Sequence, residues 1–199
     1  MDIVVLLVLF AVSVVANASP FFGVSYTLIG AAALSDTGVS ATSFAAVVAI
    51  TAVGASIAKA VIYFGGVEGR RFMSKNKNMQ AIQRWANRRS FFVALFITAL
   101  IPVLPLDDFL YLGAGVGGAR LLPALLVTFP AKIIKGGLEI ALEITGLVGI
   151  KGGLDLIGMK LSLFQLSLVL SLAFVALGVL IYKIDWTGLL SGKTDVENP

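Results

Sequence analysis

The sequence predicts an all-α integral membrane protein, with polytopic helices and two re-entrant Pro/Gly hairpins forming an inverted repeat. Three observations predict it. First, 58% of the 199 residues are hydrophobic and mean hydropathy is +0.99. Charged residues make up only 13%, against about 25% in a soluble domain. Second, residues 3–35, 37–58, 90–106 and 161–182 hold no Asp, Glu, Lys or Arg. Third, two proline-containing breaks interrupt apolar sequence, one around Pro20 and one around Pro102 and Pro105.

The same composition narrows the chemistry. There is no His and no Cys, which excludes disulfides, thiolate chemistry, zinc on nitrogen or sulfur ligands, haem on His or Cys, and a His general base. No metal and no cofactor is expected, and the chain is not read as an enzyme. Ser and Lys are both present for a Ser–Lys dyad, but no motif supports one.

A spanning helix needs about 20 residues at ~1.5 Å each to cross a core of ~30 Å. Residues 37–58 and 161–182 therefore read as simple spans. The run 3–35 is too long for one span and contains Asn17-Ala18-Ser19-Pro20-Phe21-Phe22-Gly23. Proline removes a donor and clashes with the preceding turn, so the helix should break there. Ala16-Asn17-Ala18 resembles a signal cleavage site, but the only charge before it is Asp2, where a signal would be basic. The run is instead read as entering, breaking and turning, with a first hairpin at about residues 17–35.

The second hairpin is placed at about residues 101–118. Pro102, Pro105, Asp107 and Asp108 follow a charge-free stretch, and Gly113, Gly115, Gly117 and Gly118 come next. Irregular backbone at membrane depth survives only where protein or a wet cavity satisfies it; an ordinary loop between two spans is the alternative. Under an offset of 85, Pro20, Tyr26, Gly30 and Phe44 fall on Pro105, Tyr111, Gly115 and Phe129. Paired interrupted segments in two halves point to a transporter-like inverted repeat with a site at its centre. The Gly-rich stretch allows close helix packing within one chain or between chains, so a homo-oligomer stays open.

Between the hairpins, Arg70, Arg71, Lys75, Lys77, Arg84, Arg88 and Arg89 carry 7 of the 15 basic residues. The positive-inside rule makes this loop, residues 68–90, cytoplasmic, and the expected location is a multi-pass position in the cell membrane. Met79, Ile82, Trp85 and Ala86 recur at helical spacing within it, as in a helix lying among headgroups. A basic cluster also suits nucleic acid, but between membrane segments it reads as topology and lipid contact, so no nucleic-acid partner is expected. Residues 1–185 form one transmembrane domain, and residues 186–199, containing Trp186 at the start, read as a mobile tail.

Ionisable residues inside apolar segments mark pathways or partners. Lys59 ends the 37–58 span, where a snorkelling side chain is the alternative. Asp107 and Asp108 stand at the second break, as a proton or counter-charge site or as caps of the helix that follows. Thr128, Lys132, Lys135, Glu139 and Glu143 recur at steps of 4, 3, 4 and 4, which places them on one helical face. Lys135 and Glu139 can pair at i, i+4. Either the stripe faces a wet groove or a companion helix, or its carboxylates leave the membrane. Past Gly146, the glycines at 149, 152, 153 and 158 suggest a connection of poor helix propensity.

The order of these features resembles the DedA superfamily, also called the SNARE-associated Golgi or VTT proteins. The resemblance rests on Gly54-x4-Lys59-x3-Tyr63-x-Gly65-x3-Gly69, and on Ile101-Pro102-Val103-Leu104-Pro105-Leu106-Asp107-Asp108 followed by Ala131-Lys132-Ile133-Ile134-Lys135. The second hairpin looks most like the vacuole-membrane-protein branch. The likeness covers about residues 15–145. Many bacterial members carry a Glu near the first hairpin where this chain has Asn17 and Ser19, and an Arg-Phe-x-Pro-x-x-Arg run whose arginines are absent here. The resemblance implies movement of a phospholipid or a polyprenyl-phosphate carrier between leaflets, as a flippase or scramblase. On that reading Lys132 and Lys135, with Lys59 and Arg120, hold phosphate, while Asp107, Asp108 and Glu139 supply counter-charge or carry protons. Pro20, Gly30, Pro102, Pro105, Gly113 and Gly115 shape the hairpins. The alternative is an ion-coupled transporter of a small solute or cation. No Gly-x4-Gly-Lys-Ser/Thr phosphate loop is present, so ATP drive is not expected.

Overall fold

The computed structural model describes residues 1–18, 25–73, 80, 84–86, 88–101 and 106–183. Every regular element among them is helical: α1 (Ile3–Ala18), α2 (Tyr26–Thr37), α3 (Ala41–Glu68), α4 (Arg70–Met73), α5 (Arg89–Leu100), α6 (Leu106–Gly117), α7 (Leu121–Leu156) and α8 (Leu163–Lys183). The prolines of both hairpins, Pro20, Pro102 and Pro105, lie outside the described residues, as do Lys75, Lys77, Met79, Ile82 and the segment from residue 184 onward that includes Trp186.

Local chemistry sets the ends of these helices. Ser25 caps α2, its hydroxyl accepting from the Leu28 amide. Ser40 and Ser43 form a reciprocal capping box at the start of α3, an arrangement whose cap contributes about 1 kcal/mol. Gly38 at φ 92° ends α2, and Gly118 at φ 70° turns the chain from α6 toward α7, a left-handed backbone that a Cβ would penalise.

The glycine-punctuated stretch after residue 146 is not a connection. α7 runs unbroken through it for 36 residues, and the chain turns only at Gly158. Each glycine costs a helix roughly 1 kcal/mol relative to alanine. Burial of Leu147, packing of Leu154 and the Lys151–Asp155 pair one turn apart act in the opposite direction. Tertiary packing overrides propensity here.

Two long helices organise the molecule. α1 and α6 pack on α3, α5 and α2 pack on α7, α3 also packs on α7, and α8 lies against α2 and α7. The short helix preceding each long helix thus packs chiefly on the other long one. One core joins Leu9, Leu34, Val47, Ile140 and Leu147, and a second joins Phe91, Leu95, Tyr111 and Ala114. Trp85 sits edge-on to Phe91, and Ala86 is buried beside it.

The distribution of polarity is inverted relative to a soluble domain. Leu7, Val15, Phe64, Leu122, Leu126 and Leu142 are exposed, while Lys59, Asp107, Asp108 and Lys132 are buried. Among the described residues one helix, Ala41–Glu68, is long and apolar enough to cross a membrane; α1 and α5 are apolar but shorter. At 12 residues each, α2 and α6 reach about 18 Å, short of a ~30 Å hydrocarbon core.

Candidate functional site

The site begins with a close approach of two backbones. A Cβ on Gly115 would overlap the Tyr63 carbonyl oxygen, and one on Gly66 would overlap the Leu112 carbonyl oxygen. The missing side chains let α6 lie directly on α3. Tyr63 donates its hydroxyl to the Ala119 carbonyl at 2.7 Å, and Arg70 donates to the Gly115 carbonyl at 2.9 Å. Arg70 therefore neutralises the negative end of α6, where a cation is favoured.

From Gly66 back to Lys59 is two helical turns, and so is the step from Gly115 back to Asp108. The crossing at the glycines thereby carries Lys59 to the first turn of α6. Lys59 forms an ion pair with Asp108 and a second with Asp107 at 3.2 Å. Lys132, from α7, reaches the same Asp107 oxygen at 2.8 Å. The result is an alternating chain, Asp108–Lys59–Asp107–Lys132, contributed by three helices. All four residues are at most 4% exposed, and their charges cancel. Both carboxylates also stand at the α6 N-terminus, where the helix dipole favours negative charge.

The stripe on α7 continues in both directions from Lys132. Thr128 accepts a hydrogen bond from the buried Tyr111 hydroxyl at 2.9 Å. Lys135 is half-buried, donates to the Ile101 carbonyl at 3.2 Å and approaches Glu139 at 3.8 Å. Glu143 accepts from Thr27 at 2.8 Å and from Ser25 at 3.3 Å. The stripe thus faces companion elements: α6, the end of α5 and the start of α2. Its carboxylates do not simply leave for water.

An apolar groove of about 490 Å³ lies between α3 and α7, lined by residues such as Phe44, Val48, Ile133, Gly137 and Leu138. Residues 133, 134, 137 and 138 occupy the face of α7 opposite 132, 135, 139 and 143, because successive residues turn by about 100°. The groove and the polar stripe therefore look in different directions.

Of the residues singled out by sequence, the structure unites Lys59, Asp107, Asp108 and Lys132, with Lys135 and Glu139 one and two turns further along α7. Lys59 does not snorkel; it is 2% exposed. Arg120 stays apart. It is an exposed residue at the N-terminal end of α7 with no side-chain capping bond, twelve residues and about 18 Å of helix from Lys132. Gly30 fits α2 between the long helices, since its Cβ would lie 3.1 Å from Val47 and 3.6 Å from Ile140. Gly113 and Gly115 are buried within α6.

Sequence reasoning missed the partners Ser25 and Thr27. Nothing in the sequence around Ser25 indicated a carboxylate arriving from 118 residues downstream. With this geometry in view, the chain matches no protein-family model, no curated protein and no solved structure.

Proposed function

We propose that the protein is a polytopic membrane protein of the DedA type that moves a phospholipid or polyprenyl-phosphate headgroup between leaflets. The observation that carries this reading is the buried Asp108–Lys59–Asp107–Lys132 chain inside a molecule that exposes many Leu, Val and Phe side chains. Apolar exterior with ionic interior suits hydrocarbon outside and a polar path within. The alternating packing, each short helix on the other half's long helix, supports two re-entrant hairpins in an inverted repeat. Its elements follow the offset of 85: α1 corresponds to α5, α2 to α6 and α3 to α7.

The cluster assigns roles to the lysines. Lys59 and Lys132 are held by resident carboxylates, so an incoming phosphate competes with Asp107 for Lys132. Among the described residues, Lys135 has a carbonyl and a distant carboxylate as partners, which makes it the first cation offered to a headgroup. Arg120 is left out of the binding set because it stands about three turns from Lys132.

The ion-coupled transport of a small solute is the second reading, favoured by the same full pairing of Lys59 and Lys132, since a charge-neutral cluster can exchange partners without a lipid. The experiment uses vesicles containing a fluorescent phospholipid and the purified protein. Wild type should speed loss of inner-leaflet signal to a membrane-impermeant quencher. Lys135→Ala should slow it about tenfold or more, because an unpaired phosphate in an apolar site costs several kcal/mol. Lys135→Arg should keep part of the activity, and Lys151→Ala, in an exposed pair with Asp155, should match wild type. Equal rates for Lys135→Ala and Lys151→Ala across several headgroups would remove the lipid reading and move solute transport ahead.

A further inference from the structure

The two long helices each bring an ionisable side chain to the start of a short helix, with opposite sign. α3 brings Lys59 to the first turn of α6, where it finds Asp107 and Asp108. α7 brings Glu143 to the start of α2, where its hydrogen bonds among the described residues come from the hydroxyls of Ser25 and Thr27. Glu143 lies one residue from the position that the offset of 85 assigns to Lys59. In the first place a cation is resident; in the second the anion has none among the described residues.

Charge balance gives the same result independently. Lys59 and Lys132 offset Asp107 and Asp108, and Lys135 stands by Glu139. Glu143 is left over, with no ion pair among the described residues. One of its oxygens, Oε1, takes both hydroxyl bonds; the other, Oε2, is buried and has no hydrogen-bond partner there. A carboxylate removed from water without a counter-ion is costly, and it ends up neutralised or paired. Hard cations take oxygen ligands, carboxylates among them. The Ser25 and Thr27 hydroxyls lie 3.1 Å apart and beside the same carboxylate.

We infer that Glu143, Ser25 and Thr27 form a site that binds a single monovalent cation, a proton or Na+, at the start of α2. Among the described residues, the surrounding elements do not supply a substitute. On α7 the neighbouring titratable group is Glu139, and on α2 it is Tyr26. α8 presents Ser171, which donates to the Ser25 carbonyl at 3.5 Å, and α1 has no ionisable residue between positions 3 and 18. The Lys59 and Lys132 ammonium groups are engaged by Asp107 and Asp108.

The test measures binding on the intact protein in detergent, with no lipid movement involved. Its failure would leave the lipid reading standing, and the reverse also holds. Thermal unfolding is followed against NaCl, with choline chloride holding ionic strength constant, and separately against pH without Na+. Wild type should gain at least about 2 °C, the shift that a stability change near 1 kcal/mol produces at this size, on addition of Na+ or on acidification. Glu143→Gln, isosteric and neutral, should lose that response, while Asp155→Asn, in the exposed pair with Lys151, should retain it. Response to Na+ at fixed pH identifies Na+. Response to acid alone, with a protonated-carboxyl infrared band that disappears in Glu143→Gln, identifies the proton. Thr27→Val keeps the carboxylate and removes one oxygen, so it should weaken the Na+ response even if Glu143→Gln does not fold. Wild type and Glu143→Gln responding alike to both Na+ and pH would overturn the site.

Discussion

Asp107 joins two lysines from two different long helices, and that single carboxylate sets the energetics of the cluster. Removing one partner of a buried ion pair costs about 3–5 kcal/mol, because a charge is left uncompensated in a poor solvent. Asp107→Ala should therefore strip Lys59 and Lys132 of a shared partner and sharply lower the unfolding midpoint in detergent. The double variant Asp107→Leu with Lys132→Met removes both charges of one pair. It should be more stable than Asp107→Ala alone, since replacing a buried pair by apolar groups is often close to neutral. If the double variant is the less stable of the two, Asp107 and Lys132 are not coupled as drawn.

At the same scale, Tyr63→Phe deletes only the hydroxyl that donates to Ala119. A loss of about 0.5–1.5 kcal/mol is expected from that bond, read as a modest fall in the same midpoint. A change larger than that of Asp107→Ala would mean that Tyr63 has a role beyond holding the turn at residues 118–120.

The α3–α6 contact is the element on which the site depends. Gly115 and Gly65 have opposite surroundings: a Cβ on Gly115 meets the Tyr63 backbone, whereas one on Gly65 meets nothing within 4 Å. Gly115→Ala should push α6 off α3, at the ~1–3 kcal/mol typical of overpacking, and pull Asp107 and Asp108 away from Lys59. Gly65→Ala should be neutral or stabilising by up to about 1 kcal/mol, because alanine favours helix. Thermal melts of the two variants check this, and equal destabilisation would contradict the close crossing. Gly65 and Gly115 were equally prominent in the sequence; only the position of the neighbouring backbone separates them.

Across the whole molecule, the inverted polarity and the basic excess of residues 68–90 predict an orientation. The chain has no Cys, so single introduced cysteines report sidedness cleanly. α3 separates residue 39 from the basic segment, and Val39 is exposed beyond its N-terminal end. Val39→Cys should react with a membrane-impermeant reagent applied to intact cells. Asn78→Cys should react only with reagents that cross the membrane. Labelling of both from the same side would mean that α3 does not span.

Several features were legible from sequence because they are local. Charge-free runs of helical length announced helices, and the stripe at 128, 132, 135, 139 and 143 required only the helical period. The four identities at a separation of 85 were legible too, since they need no structure. The course of α7 past Gly146 was not, because the packing of Leu147 and Leu154 that holds it is a long-range property. Nor was the isolation of Arg120, which sits in the same apolar stretch as the lysines yet lies several turns from them.

The sequence by itself determined that this chain is helical, that its apolar surface far exceeds what a soluble domain carries, and which ionisable residues stand in apolar surroundings. These follow from composition and period, which act residue by residue. Only the tertiary structure decided which charges meet. Lys59 and Asp108 are 49 residues apart, and Thr27 and Glu143 are 116 apart. Contacts at such separation depend on how closely helices approach. That approach is set by glycines whose effect is visible only against the backbone opposite them. The tertiary structure alone therefore distinguishes the fully paired cluster at α6 from the carboxylate at α2, which has no counter-charge among the described residues.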